Sequence, residues 1–595
     1  MRELLVTTSL IECLIPDRQI LFLGDWCIPY DRVKDYKNIS YKFSKPYGPN
    51  LDSVKNISDY SKNIYEKILF NLTRELNKVH TENKGVREWE IILGHWLMRY
   101  IRVSINRYKT IEQVLNTNRL IETVELIYSD QKHQRPPIDS MEAIVKFRDP
   151  QFNYDFFLDV IKRLDTRVIK YIKVNYDIKK NLQESNPPQK NNFKNIYKSL
   201  NLLLSNWSSK KDSKFIINPY LGKIEELYLH IKLRQLPKIF RYEQYSAPNN
   251  YDLDLRKTLS LRPANFGKGN EDDLSIFIAE KIFDHMPMSF LENYMYLKNN
   301  GNLSSFPTNP KYVITANSFD TDDFFKIWLS EKIKKNGTKY IAIQHGGGYG
   351  TSEVINPLSI EEKTSDYFIT WGWKKSSKYI PIGIFNNQGL TTNKLEHEKK
   401  ILIVMAVERE KVFIHDVSYE FKKYLLNFIK FYDGLNENIR ASSLFRLSPN
   451  FKDKDQREDL QLKGYFPDVK IDDGVKNIFN LYAKAKLVIQ TVNSTSFLET
   501  LALNIPTIGI FDESFIDINE YAKKYFEDFK SVGLIYYNSN EASNFINLNF
   551  NTIDAWWFSQ KVQQVRISFI NEFAKPANRI NGLLGLLSGK QKIGK

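Results

Sequence analysis

A histidine set between an apolar run and bare backbone is the first feature of this sequence that could do chemistry. Lys339-Tyr-Ile-Ala-Ile supplies a strand-forming run, and Gln344, His345, Gly346, Gly347, Gly348, Tyr349 and Gly350 follow it. Three consecutive glycines weaken any strand and mark a place where backbone comes close to something. Two readings are open. One is a flexible turn. In the other, a parallel strand delivers Gln344 and His345 to the carboxyl edge of a sheet, where open α/β folds bind ligands. Gly346, Gly347 and Gly348 then offer backbone N–H groups to an anion such as phosphate. His345 is a candidate general base in that reading. Asp25 is the other, because it emerges with Trp26 after the apolar run Gln19-Ile-Leu-Phe-Leu-Gly24; its alternative is to cap a turn.

A second set suits an anion. Asn493, Ser494, Thr495 and Ser496 stand at the entrance of a helix that ends near Asn504-Ile505-Pro506. Their hydroxyl and amide groups join unsatisfied helix N–H groups and the positive end of the macrodipole, a cradle for phosphate. Ser496 with Glu499 also reads as a capping box, which needs no ligand, and Glu499 alternatively faces a ribose hydroxyl. Arg446-Leu-Ser448-Pro449 places a cation and a hydroxyl at another strand end, or else an edge strand stopped by proline. Asp472-Asp473-Gly474 reads as a turn before a helix at 475, where backbone groups would read a base. As a metal site the acid pair lacks a third ligand, so no metal is expected.

These residues need elements to position them. Tyr312–Ala316, a helix over 322–335 capped by Asp320/Thr321, and Tyr340–Ile343 form a βαβ unit ending on the glycine loop. Strands over 366–372 and 381–385 close this half, and 386–400 reads as a linker. Strands over 400–406, 443–449, 487–491 and 507–511 then alternate with helices over 419–435, 475–484 and the one at 493–504, which predicts a parallel sheet. Before residue 311 the pattern is mainly helical. Apolar residues return every three or four positions in 64–80, 89–107, 111–128 and 154–171, and His95 in the second of these reads as a packing residue. Residues 172–215 are a polar excursion around a helix at 196–207, and 222–300 are mainly helix with breaks at 263–269. A last long helix spans 555–573.

The chain has 595 residues, enough for several domains. No charged start leads into an apolar core and cleavage site, and no run of 18 apolar residues occurs, so neither a signal nor a membrane span is expected. Two cysteines, Cys13 and Cys27, leave no disulfide framework and point to the cytosol. The net charge of +15 favours an acidic partner. No nucleic-acid-binding signature accompanies it.

The stretches Phe22–Cys27, Glu90–Leu97, Gln344–Gly350, Asp366–Trp373, Arg446–Pro449 and Thr491–Pro506, in this order, resemble a family of transferases encoded in bacterial O-antigen and surface-polysaccharide gene clusters. The resemblance runs from residue 4 to about 575 and is thinnest over 172–215. More distantly the architecture looks like GT-B glycosyltransferases and the polyglycerol-phosphate polymerases of wall teichoic acid synthesis. In those polymerases a His-Gly closing the first domain serves chemistry, which His345 matches. A proline-containing strand end and a serine-rich helix start hold the nucleotide phosphates, which Pro449 and Ser494–Ser496 match. The histidine that usually precedes that proline, and that holds the phosphate of cytidine donors in sialyltransferases and Kdo transferases, is Ser448 here, so the donor nucleotide stays open.

The expected fold is therefore α/β and GT-B-like, with two facing Rossmann-like domains. Residues 1–390 form the acceptor-side domain with helical insertions at about 50–300, residues 398–550 the nucleotide-donor domain, and 551–595 a helix crossing back. The expected activity is metal-independent glycosyl transfer without a cofactor, the nucleotide-sugar, including a CMP-linked ulosonic acid, being co-substrate. His345 or Asp25 acts as base. Arg446, Ser448, Pro449, Asp473, Asn493, Ser494, Thr495, Ser496 and Glu499 hold the donor, and Gln344 with Gly346–Gly348 form the phosphate loop. The acceptor is an oligosaccharide or lipid-linked glycan reached from the cytoplasm, with peripheral contact to an anionic membrane. Two alternatives remain: a CDP-alditol-type glycerol- or ribitol-phosphate transferase, and a scaffold without catalytic activity.

Overall fold

The computed structural model describes residues 2–45, 47, 51–117, 121–129, 135–165, 169–176, 213–235, 248–261, 272–303, 306–353, 359–385, 400–405, 421–448, 451–453, 457–472, 474, 477–513, 516–576 and 578–588. The strands fall into three parallel sheets. The first contains β1 (Glu3–Val6), β2 (Ile20–Phe22), β3 (Tyr41–Phe43), β4 (Ile121–Tyr128) and β5 (Lys170–Tyr176) in the order 3-2-1-4-5. The second contains β6 (Lys214–Ile217), β7 (Tyr312–Thr315), β8 (Lys339–Ile343), β9 (Tyr367–Thr370) and β10 (Tyr379–Pro381), wound in one direction. The third contains β11 (Lys400–Val404), β12 (Ser443–Arg446), β13 (Ile471–Asp472), β14 (Ala485–Gln490), β15 (Thr507–Ile510) and β16 (Ile535–Tyr536) in the order 13-12-11-14-15-16. That last order is doubly wound, with its switch point between β11 and β14, where such sheets bind ligands beyond the strand carboxyl ends.

The α/β class and the two facing halves agree with the sequence. The N-terminal portion differs, since it holds two sheets instead of one sheet with helical insertions. Residues 121–128 form a strand between β1 and β5 rather than the end of a helix. Their Ile, Thr, Val and Tyr fit a pleated surface, and pairing on both sides overrides a local pattern that reads either way. Likewise the helix Pro150–Leu164 stops before β5. The helix Asp323–Asn336 is capped by Asp322, whose side chain accepts from the Phe325 N–H, and closes on left-handed Gly337, φ 64°. The segment at 555–573 is two helices, Ile553–Trp557 and Gln560–Phe573. The helix at 196–207, the breaks at 263–269 and most of the linker at 386–400 lie outside the described residues.

Two long helices, α1 (Leu51–His80) and α2 (Val86–Thr117), join the first two sheets. At 1.5 Å per residue α2 is about 48 Å long. It is buried along most of its length, and Glu90, Arg102 and Arg107 are buried with its apolar residues. α2 packs on α1, on Pro150–Leu164 beside the first sheet, and on Asp323–Asn336 and Ile360–Thr364 beside the second. One continuous core underlies both sheets, while the third sheet has further cores of its own.

The helix Gln560–Phe573 ties the third sheet to the second. Arg566 donates to the Leu501 carbonyl at 2.7 Å, and beyond the helix the Lys575 N–H donates to the Trp371 carbonyl at 2.7 Å. Gly372 sits at φ 152°, where a Cβ would lie 2.5 Å from the Glu572 carbonyl oxygen. Among the described residues no helix is long and apolar enough to cross a membrane.

Candidate active site

The glycine loop leaves β8 at the carboxyl edge of the second sheet and meets the helix Thr495–Ala502, which leaves β14 beside the switch point of the third. The Gly347 N–H donates to Thr495 Oγ1 at 2.8 Å. A Cβ on Gly347 would stand 2.7 Å from the Thr495 backbone nitrogen, and one on Gly346 3.3 Å from Thr495 Oγ1. The bare backbone therefore lets two halves of the molecule touch. Gly347 directs its N–H at protein, a correction to the reading in which it faces an anion.

Gln344 is also turned inward. Its Oε1 accepts from the Trp371 N–H at 3.0 Å and from Trp373 Nε1 at 2.9 Å, and its Nε2 donates to the Gly346 carbonyl at 3.0 Å. It is fully buried, so it shapes the loop instead of lining it. The loop is braced from the segment that follows β15 of the third sheet: Asn519 Nδ2 donates to the Gly350 carbonyl at 2.8 Å, and Asp517 accepts from Ser352 and from the Glu353 N–H. Neither Asp517 nor Asn519 was singled out by sequence, because nothing local distinguishes Asn519 from an ordinary N-cap.

At the helix start the N-cap is Ser494, and no side chain caps it. The expected Ser496–Glu499 capping box is absent, because Ser496 lies inside the helix and donates to Gln490 Oε1 at 2.7 Å. Ser494 and Ser496 hydroxyls are 3.0 Å apart, and the buried Asn493 Oδ1 has no hydrogen-bond partner. A positive helix end with its side-chain cap missing is what a phosphate completes. Glu499 is buried one turn further in, close enough to join burial in raising the Tyr482 phenol well above its usual range.

Arg446 ends β12 with its guanidinium engaged. It donates to Asp472 and, at 3.0 Å, to the Gly474 carbonyl. Its guanidinium is thus committed to Asp472 and Gly474, where the sequence reading expects a contact with the leaving group. Ser448 follows on the same strand exit, its carbonyl accepting from the Phe451 N–H at 3.1 Å. Pro449 and Asp473 lie outside the described residues.

His345 is half-buried on the loop. Its Nδ1 lies 3.1 Å from the Tyr349 hydroxyl, which also donates to Glu361. Glu361 Oε2 is 3.6 Å from His95 Nε2, and His95 Nδ1 is 3.7 Å from Asp320, which pairs with Arg99 at 2.5 Å. Burial, the largest influence, pulls His95 down to about 4 against the opposing pull of Glu361 and Asp320. Burial alone would raise Asp320, but Arg99 and then His95 hold its carboxyl well below the usual range. Gly94 makes this possible: a Cβ there would lie 2.9 Å from Ile360, so its absence lets the helix of Glu361 settle against α2. His95 is thus part of the site cluster, contrary to its sequence reading as a packing residue. Asp25, by contrast, is exposed at the carboxyl end of β2 in the first sheet.

Two α/β sheets meeting through a loop and a helix start, with a C-terminal helix returning across the junction, form a GT-B-like arrangement of two facing halves. The chain belongs to the LIC12162 family of transferases, whose model it matches over residues 3–586. No curated protein matches it. Among solved structures it is similar to the wall teichoic acid polymerase TagF, at 15% identity over 67% of this chain and 95% of that one, with a TM-score of 0.34. It is similar to MurG of Acinetobacter baumannii at 10% identity over 63% and 99%, TM-score 0.32. For MnaA of S. aureus the values are 12% over 52% and 86%, TM-score 0.32.

Proposed function

We propose that this transferase is a glycosyltransferase, moving a sugar from a nucleotide-activated donor to a surface-polysaccharide or O-antigen acceptor. The observation that carries the reading is the uncapped helix start at Ser494, held against the loop that bears His345. The donor's phosphates sit at the Thr495 and Ser496 N–H groups and the Ser494 hydroxyl, where the helix dipole stabilises the charge that develops on the leaving group, an effect worth several kcal/mol. Arg446 acts indirectly, by tying Asp472 and Gly474 to the end of β12. His345 takes the proton of the acceptor hydroxyl. The excess of 15 positive charges suits an anionic cytoplasmic membrane face carrying a lipid-linked acceptor, each Lys or Arg near the bilayer contributing about 1 kcal/mol.

The test is nucleotide release from cytidine-, uridine-, guanosine- and thymidine-activated sugars, with product mass analysis. One donor class is expected to turn over, with His345→Ala lowering the rate roughly 10²- to 10⁴-fold. Product carrying a phosphoryl-alditol would replace glycosyl transfer by alditol-phosphate transfer, and no release from any donor would remove the enzymatic reading.

A further inference from the structure

The chain of groups behind His345 has a direction. Tyr349 is buried, and burial, followed by the nearby Glu361, raises its phenol well above the ordinary range, so it remains a proton donor. Its hydroxyl proton goes to Glu361. The tyrosine oxygen that stands 3.1 Å from His345 Nδ1 is therefore the acceptor, and Nδ1 is the donor. A neutral imidazole that donates through Nδ1 carries its basic lone pair on Nε2.

We propose that Glu361, acting through Tyr349, fixes His345 as the Nδ1–H tautomer and so makes Nε2 the base of the transfer step. Tyr349 and Glu361 are positioning residues, and the proposal rests on the reading of His345 as general base given above. In the step, Nε2 takes the proton of the acceptor hydroxyl as that oxygen bonds to the donor's anomeric carbon. The bond from this carbon to the phosphate oxygen breaks, its electron pair leaving on the nucleotide. The imidazolium so formed faces Tyr349, with the negative charge of Glu361 immediately behind.

The geometry around Glu361 supports the assignment. The carboxylate is buried between Tyr349 on one side and His95 on the other, and His95 in turn stands between Glu361 and the Asp320–Arg99 pair. Phe319 lies 5.3 Å from the His95 ring in a stacked arrangement and 5.6 Å from His345, filling the space between the two imidazoles. A cluster serving only to fill the core has no need of two carboxylates, two histidines and an arginine. The closeness also depends on Gly94, which precedes His95 on α2 and admits the helix of Glu361.

The test uses the full-length protein labelled with 15N-histidine, its His345 signals assigned with His345→Gln. Long-range proton–nitrogen correlation at neutral pH should show Nδ1 protonated and Nε2 bare in the wild type. Tyr349→Phe should shift the ring toward the Nε2–H form, with thermal stability checked in parallel. Glu361→Gln should weaken the preference in the same direction and serves if the phenylalanine variant does not fold. With the donor found by nucleotide release, both variants should lower kcat about 10- to 100-fold and leave the donor KM within about twofold, as for groups that shape only the reacting step. A wild-type Nε2–H tautomer, or one indifferent to Tyr349→Phe, overturns the proposal whether or not any donor turns over. The expected tautomer with unchanged kcat in both variants also overturns it. Failure of every donor leaves the tautomer result standing and sinks the glycosyltransferase reading instead.

Discussion

The Gly347 N–H donates to Thr495 Oγ1 at 2.8 Å, joining a loop of the second sheet to a helix start of the third. A side chain at 347 has nowhere to go, because the nearest atoms are the Thr495 nitrogen and the Ser494 carbonyl carbon at 2.7 and 2.8 Å. Both are backbone, and backbone of a packed helix start yields little.

Gly347→Ala is therefore expected to separate loop and helix, costing about 1–3 kcal/mol as overpacking does. Gly346→Ala meets only a hydroxyl, at 3.3 Å, and should cost well under half as much. Thermal denaturation of the two variants side by side checks the order; equal effects would count against a tight junction.

Arg446 and Asp472 are a buried ion pair. Arg446→Met alone leaves an uncompensated carboxylate, and Asp472→Asn alone an uncompensated guanidinium, each expected to cost about 3–5 kcal/mol. Changing both together should recover much of the loss. Urea midpoints of the two singles and the double make a cycle that measures the coupling, and additive effects would show that the pair does not act as one.

The βαβ unit, the glycine loop and the helix start at 494–496 were legible because each is local: apolar runs of strand length, glycines at one strand's end, small polar residues at one helix's start. The base cluster was not. His95, Tyr349 and Glu361 are brought together by the packing of α2 on the helix Ile360–Thr364, and a histidine within an amphipathic pattern looks like any other buried ring. Likewise β4 could be recognised only from its partners β1 and β5. The destination of Gly347 was hidden for the same reason, since a glycine run announces a close approach but not what approaches.

Burial holds His285 down to about 3, with Lys281, Lys146 and Arg256 adding to the effect, among Tyr100, Phe152 and Phe156. In the unfolded chain it titrates near 6.5. On acidification the unfolded state binds this proton first, so the contribution of His285 is complete above about pH 6.5 and is lost between about 6.5 and 3. Asp155 and Asp322, raised to about 7 by burial, work the other way, contributing fully below about pH 3.9 and fading as pH rises through 7. The difference between His285→Phe and the wild type isolates the histidine. That variant should be no more stable at pH 8, where it lacks the contact to the Tyr100 hydroxyl. It should gain on the wild type below pH 6.5, by up to about 5 kcal/mol at 1.36 per pKa unit. A stability difference that stays flat with pH would contradict a neutral buried His285.

Ser494 offers the donor a hydroxyl, whereas the Thr495 hydroxyl is taken by the glycine loop. Ser494→Ala should therefore weaken nucleotide binding by about 1–3 kcal/mol. Thr495→Val should act mainly on turnover, by loosening the loop that carries His345. Calorimetric titration of the nucleotide alongside steady-state rates separates the two; the reverse pattern would assign the hydroxyls the other way round.

The central claim is that the donor's phosphates bind at the start of the helix Thr495–Ala502, facing His345 across the junction. A crystal structure of the full-length protein with the nucleoside diphosphate that its turnover selects tests this most directly. The expected result is phosphate oxygens within hydrogen-bond distance of the Thr495 and Ser496 N–H groups and the Ser494 hydroxyl, with the cleft between them and His345 open to a sugar. Phosphates on the carboxyl edge of the first sheet, near Asp25, or at any other place away from this helix start, would contradict it.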